Sequence, residues 1–222
     1  MEKIKTTINI NDFPLQLHKY ICDAEIHDSS CGENSRVLYS DKGYYIKMAP
    51  KGNLEREAAV AKQLAEKGLC AKVEEYISTD KDYMVTVPAT GQDCTHFLDN
   101  PEKLCMALAE GMKYLHSLPV EDVPHSPQMD FYNKDNDLNY DTFIHGDFCL
   151  PNIMLENYGF KMFIDMGLAG RGDKHIDIFW VLWSLWFNLK NDKYTDYFLD
   201  LYGRDKINLK TIKKLAEMEE KI

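Results

Sequence analysis

The chain has 222 residues, 45% of them hydrophobic, with 26 basic against 36 acidic side chains and a formal net charge of -10. That apolar share excludes a disordered chain and suffices for one large domain or two small lobes. The acidic balance excludes nucleic acid, whose phosphates demand a basic face, and suits either a cationic ligand or an ordinary acidic protein.

Met1 to Asp12 is polar, charged and β-branched, so no signal peptide is read there. Strands with one early helix are expected before Lys51. Val37–Tyr39 and Tyr44–Ile46 flank Ser40–Gly43, a hairpin turn closed by glycine. Asn53 is placed to cap a helix through Leu54, Ala58, Ala61, Leu64 and Ala65, and Gly68 to end it in a left-handed cap. Val73–Ile77 and Tyr83–Val87 read as two more strands around a polar turn, Thr79–Asp82. Pro88-Ala89-Thr90-Gly91 then reads as a hinge, giving an N-terminal lobe over 1–88 and a C-terminal lobe over 89–222.

Beyond the hinge, Asn100-Pro101 opens a helix carrying Leu104, Leu108, Met112 and Leu115. Pro119 to Thr142 reads as an acidic loop, and Ile153–Leu155 with Phe160–Ile164 as a hairpin around Glu156–Gly159. Three helices follow, over 173–189, 194–202 and from 209 onward. The most apolar run, Ile176 to Phe187, spans 12 residues and contains Asp177. A membrane span needs roughly 20, so this is a buried helix and no membrane partner is expected. Within it Trp180, Trp183, Trp186 and Phe187 recur at helical intervals, as core residues do. Six cysteines (Cys22, Cys31, Cys70, Cys94, Cys105, Cys149) lack C-x-x-C spacing, which points to free buried or half-buried thiols in a cytoplasmic protein. The element order, strands with one long helix and then mostly helices, is an α+β bilobal arrangement of the kinase type.

The chemistry concentrates in His145-Gly146-Asp147-Phe148-Cys149-Leu150-Pro151-Asn152 and Phe163-Ile164-Asp165-Met166-Gly167. Phosphoryl transfer needs a carboxylate to orient the attacking hydroxyl and accept its proton, and oxygen ligands for Mg2+. Asp147 and Asn152, five residues apart, supply the catalytic base and one metal ligand from one loop. Asp165 ends a strand 13 residues beyond Asn152 and supplies a second metal ligand. Kinases share this Asp-x4-Asn loop followed by Asp-x-Gly. His116 reads as structural, and no Ser-His-Asp or Cys-His nucleophile is present by spacing.

This loop, with Ile153-Met154 after it, resembles the catalytic loop of aminoglycoside 3'-phosphotransferases. Phe163 to Asp177, with Gly170-Arg171-Gly172-Asp173-Lys174, is similar to that family's metal-binding segment, and Phe198 to Gly203 to a late helix. The resemblance is dense over 143–203 and implies an ATP- or GTP-dependent kinase. Tyr45-Ile46-Lys47-Met48 and Glu55-Arg56-Glu57 resemble the family's matching segments, which implies that Lys47 contacts the nucleotide phosphates and pairs with Glu57, Glu55 being the other candidate. Ser29 to Ser35, small and turn-prone, is the expected phosphate-covering loop, with Ser35 at its end, and adenine is expected at backbone near Pro88 and Ala89.

The implied acceptor is an aminoglycoside polycation with a kanamycin-like 3'-hydroxyl, and the implied state is a monomer or weak dimer. Glu121, Asp122, Asp130, Asp135, Asp137 and Asp141 face one lysine, Lys134, in the loop before the motif. By the resemblance, Glu219, Glu220 and the terminal Ile222 carboxylate contact the drug; otherwise they form a solvated helix end. The segment from Leu118-Pro119 to His145 is shorter than in well-known members. Leu150 replaces an Asp found in some of them, and Leu168 an Arg common after Asp-x-Gly. Choline, an amino sugar or another small alcohol is the alternative acceptor, and a nucleotide-binding pseudokinase the alternative class.

Overall fold

The computed structural model describes residues 3–30, 35–135 and 137–220. The chain divides into two compact units, Met1–Ala89 and Thr90–Ile222.

In the first unit come β1 (Ile4–Thr6), a one-turn α1 (His18–Ile21), β2 (Ile26–Asp28), β3 (Arg36–Ser40), β4 (Tyr44–Pro50), α2 (Glu55–Ala65), β5 (Val73–Ser78) and β6 (Lys81–Thr86). Among the described residues the strands form an antiparallel sheet of order β1-β2-β3-β4-β6-β5. The β3–β4 hairpin turns through Gly43 at φ 84, a conformation that costs glycine little. Side chains alternate along β4, so Ile46 joins Leu38, Val85 and Tyr83 in the core while Lys47 points to the opposite face.

Helix α2 begins differently from expectation. Asn53 is exposed and Leu54 stands at the cap with no side-chain bond. The buried Asp82 carboxylate, on β6 opposite Ala49, accepts instead from the N–H groups of Gly52 and Leu54, each at 2.9 Å. A carboxylate from a distant strand thus replaces a local cap and also meets the positive helix end. Gly68, at φ 70, does terminate the helix.

The second unit contains β7 (Gln92–Asp93), α3 (Pro101–His116), α4 (Pro127–Tyr132), β8 (Thr142–Ile144), β9 (Ile153–Glu156), β10 (Gly159–Phe163), β11 (Gly170–Gly172), α5 (Lys174–Leu189), α6 (Asp192–Tyr202) and α7 (Leu209–Glu219). Asn100 caps α3 by accepting from Lys103 N–H at 3.2 Å, and Leu104, Leu108, Met112 and Leu115 are fully buried. Antiparallel β10-β9-β7 and β11-β8 make two small sheets. Asn157 and Tyr158, both at positive φ, turn the β9–β10 hairpin.

The segment expected to be a loop over 119–142 contains α4, capped by Ser126 and opened by Pro127, and its last residue starts β8. Six residues carry too little periodicity to announce a helix. The aromatic residues of α5 correct a second expectation. Trp183, Trp186 and Phe187 are 44%, 45% and 52% exposed rather than core. Trp183 and Phe187 stack at 5.1 Å, and Lys190 lies over the Trp186 and Phe187 rings. Helical spacing assigns residues to a face but says nothing about what covers that face. Cys22 is exposed, whereas Cys70, Cys94 and Cys105 are buried and Cys149 half-buried, all as free thiols; Cys31 lies outside the described residues. Burial pushes the Cys70 and Cys105 thiols up to about 12, so neither is a nucleophile. No helix among the described residues is long and apolar enough to cross a membrane.

Burial alone would raise the Asp82 pKa, but the N–H of Leu54 and its other donors hold it below the ordinary carboxylate value. Its stabilisation is therefore complete above about pH 4 and fades as pH falls through the depressed value. Asp82→Ala, which strands the buried Leu54 N–H, should cost about 2 kcal/mol in denaturant unfolding. It should also flatten the loss of stability below that pH.

Candidate active site

In the first unit, Lys47 reaches across from β4 to α2. Its Nζ lies 2.9 and 2.8 Å from the two Glu57 carboxylate oxygens, and Glu57 is 5% exposed. Glu55, the other candidate, is exposed. The seven-residue strand and the first turns of α2 bring these charges together although ten positions separate them. Removing either partner strands a buried charge, so the geometry holds the ammonium in one place. Ser35 is half-buried, while positions 31–34 of the expected phosphate loop lie outside the described residues. Pro88 is exposed and Ala89 half-buried, both just past β6.

In the second unit, the loop after β8 is held by its own backbone. Asp177, fully buried on α5, accepts from the N–H groups of His145 and Gly146, each at 2.8 Å. Gly146 sits at φ 83, and a Cβ there would lie 2.4 Å from the Leu168 carbonyl oxygen, so no larger residue fits. The His145 ring is buried against Phe148 and Phe163. Its Nδ1 accepts from Asp147 N–H at 3.3 Å, which leaves the proton on Nε2 to donate to the Ile164 carbonyl at 3.0 Å. One imidazole therefore ties the residue carrying the first carboxylate to the residue before Asp165.

Asn152 completes that link. Its Nδ2 donates to the Asp147 carboxylate at 2.8 Å and to the Asp147 carbonyl at 3.0 Å. Ile164 N–H donates to the Asn152 carbonyl at 3.0 Å, so the chain reaches Asp165 directly beside Asn152. Asp165 is exposed and left-handed, at φ 57 and ψ 60, a conformation that Asp tolerates better than most residues. Asp147, Asn152 and Asp165, 18 positions apart end to end, thus share one locality.

Among the described residues no group of three or more His, Cys, Asp or Glu is placed to hold a metal ion. A protein cage is not what Mg2+ needs. It keeps water and phosphate oxygens and takes one or two protein ligands, and hard oxygen donors such as Asn152 Oδ1 and the Asp165 carboxylate fit that chemistry.

The expected acceptor residues divide. Glu219, half-buried on α7, accepts a hydrogen bond from the buried Tyr132 hydroxyl. Glu220 is exposed, and Ile222 lies outside the described residues. In the acidic segment, Lys214 binds both Asp135 and Asp137 at 2.7 Å, and His125 lies 3.1 Å from Asp130. Part of that negative charge is therefore already matched.

The part that several residues play in holding the motif was not read from the sequence. Asp177 was visible as the one acid inside an apolar run, but its work on the loop depends on tertiary approach. His116 Nε2 lies 3.1 Å from the Asp177 carboxylate and its Nδ1 lies 2.8 Å from the Tyr202 hydroxyl. Gln128 donates to the Gly146 carbonyl at 2.8 Å, and Ser126 Oγ to the Leu168 carbonyl at 2.6 Å. No spacing rule links these residues to the motif.

The model of the phosphotransferase enzyme family matches residues 134–215. A probable aminoglycoside 3'-phosphotransferase of Lactococcus lactis subsp. lactis (strain IL1403) is 38% identical, over 93% of this chain and 94% of that protein. Among solved structures, aminoglycoside phosphotransferase APH(3'')-Id of Streptomyces rimosus shares the fold with a TM-score of 0.76, at 19% identity over 96% of this chain and 98% of that one. Its complex with ADP and streptomycin gives 0.73, at 19% identity over 96% and 99%.

Asp177→Ala should cost about 3 kcal/mol in equilibrium unfolding, because two buried backbone donors and His116 lose one acceptor together. Asp177→Asn keeps one acceptor oxygen and should cost less. Equal stability of all three proteins would show that the loop does not depend on this carboxylate.

Proposed function

This chain belongs to the aminoglycoside phosphotransferase family, and from that premise we propose that it moves the γ-phosphoryl group of ATP to the 3'-hydroxyl of a kanamycin-like aminoglycoside and so confers resistance. It is a phosphotransferase of the α+β, two-lobed kinase-like fold. The observation that carries the finer reading is the Asn152–Asp147 hydrogen bond at 2.8 Å, with Asp165 following the Ile164 that pairs with Asn152.

In this reading Asp147 orients the acceptor hydroxyl and takes its proton as the oxygen attacks phosphorus. The bond from the γ-phosphorus to its bridging oxygen breaks, and ADP leaves. Asn152 fixes one Asp147 oxygen by donation, which leaves the other oxygen to accept from the hydroxyl. Asn152 Oδ1 and Asp165 would hold Mg2+, which offsets phosphate charge when bound. Lys47, steadied by Glu57, pairs with the α- and β-phosphates, Ser35 closes the loop over them, and backbone at Pro88 and Ala89 meets the base. GTP would satisfy the same phosphate contacts. Glu219 and Glu220 receive substrate amines. The free thiols suit the reducing cytoplasm, and the protein acts as a monomer or weak dimer without nucleic acid or membrane.

A second acceptor class has one observation in its favour. Lys214 already neutralises Asp135 and Asp137, leaving fewer carboxylates for a polycation than the sequence suggests. A smaller cationic alcohol such as choline, or an amino sugar, needs fewer.

A coupled assay of ADP release over kanamycin, streptomycin, choline and hexosamines decides between them. Kanamycin turnover is the expected result; a protein inert to aminoglycosides but active on choline transfers the function to the second class. Magnesium-dependent ATP binding with no transfer to any acceptor would mark a pseudokinase. Asp147→Ala should lower kcat about 10²–10⁴-fold with nucleotide affinity within about twofold, and near-normal turnover would remove Asp147 from the chemistry.

A further inference from the structure

We propose that Tyr132 is a positioning residue that fixes Glu219 to receive one amino group of the acceptor, and that α4 sets the spacing between Glu219 and Asp147. The inference rests on the aminoglycoside reading and adds a specificity element to it.

The short helix α4 touches both ends of the substrate's chemistry. Gln128, near its start, donates to the carbonyl of Gly146, the residue before Asp147, at 2.8 Å. Tyr132, at its last position, donates to Glu219 near the end of α7. These two residues are four apart, so they lie on one face of the helix, about 6 Å apart along its axis. The catalytic loop and Glu219 are therefore gauged against one rigid turn.

The Tyr132 tether is stiff. The Tyr132 ring is 2% exposed and packs with Met129, Leu138, Ile144, Ile176, Phe179 and Leu215, which leaves the hydroxyl one place to point. Just past α4, Asp135 and Asp137 hold Lys214 of α7 at 2.7 Å, a second connection between the same two segments. Burial first, then Glu219, then the charge of Asp147 push the Tyr132 phenol well above its ordinary value. The phenol stays protonated and remains a donor, and Asp147 is near enough to act on it. With its one proton committed to Glu219 Oε1, Tyr132 leaves Oε2 for an ammonium group. A hydroxyl in place of that ammonium pairs more weakly with the carboxylate, so the site discriminates by charge.

Steady-state kinetics on the full chain test this with kanamycin and analogues in which single amines are replaced by hydroxyls. Tyr132→Phe keeps the ring in the core and removes the donor. It should raise the KM for kanamycin about tenfold, the worth of a hydrogen bond to a charged group, with kcat and the KM for ATP within about twofold. Glu219→Gln should do at least as much, and the double variant should be no worse than Glu219→Gln alone. One analogue should lose its KM difference between wild type and Tyr132→Phe. An unchanged kanamycin KM in Tyr132→Phe, or single effects that multiply in the double variant, overturns the proposal and leaves the aminoglycoside reading standing. Wild-type protein inert to every aminoglycoside overturns both. Should Tyr132→Phe fail to fold, Gln128→Leu severs α4 from the catalytic loop. It should flatten discrimination among the analogues, and unchanged discrimination overturns the proposal.

Discussion

The first residues of the loop that bears Asp147 and Asn152 lie outside any helix or strand, and a buried carboxylate satisfies their backbone. Asp177 accepts from two consecutive N–H groups at 2.8 Å while His116 approaches the same carboxylate at 3.1 Å. His116 in turn accepts from the Tyr202 hydroxyl, whose pKa burial pushes up to about 12, with the Asp177 charge adding to it. Helices α3, α5 and α6 thus each contribute one group to a chain of hydrogen bonds that ends on the loop. A buried carboxylate is tolerable there because three donors meet it.

From that anchor the remaining positions follow. His145 is held by its N–H, so its ring can span the loop and the strand end, fixing Asp147 and Ile164 relative to one another. Asn152 then locks the Asp147 carboxylate in one orientation. Gly146 is required because only hydrogen fits against the Leu168 carbonyl. The result is a carboxylate, an amide and the left-handed Asp165 held beside one another by the chain's own hydrogen bonds.

The acidic balance of the chain has a more structural meaning than its sum implies. Asp82 caps α2 from β6. Asp173 caps α5 and also accepts from Asn139 N–H at 2.9 Å; burial pushes its pKa up, and the hydrogen bonds from His175 and Asn139 together more than offset this. Asp177 holds the loop, and Asp135 and Asp137 hold Lys214. These carboxylates are committed inside the protein, which is why a net charge of -10 did not by itself identify a cationic ligand. The Glu219 carboxylate differs, because a tyrosine orients it and leaves it half-exposed.

Local chemistry was enough to determine much of this protein. The hairpin around Gly43, the Asn100-Pro101 start of α3 and the Gly68 stop of α2 all depend on neighbours within a few positions, and each was legible in order; the Asp147-to-Asp165 spacing was legible as a pattern. So was the α+β kinase class, because element order survives without knowledge of contacts. What tertiary structure alone decided are the interactions made across sequence. Asp82 displaced Asn53 as the cap because a strand delivered a better-buried acceptor. Glu57 rather than Glu55 met Lys47 because the rotation of α2 turned it inward. Trp183, Trp186 and Phe187 stayed outside because no element covers that side of α5 among the described residues. Periodicity records which residues share a face, whereas burial and partnership depend on what the rest of the chain brings against it.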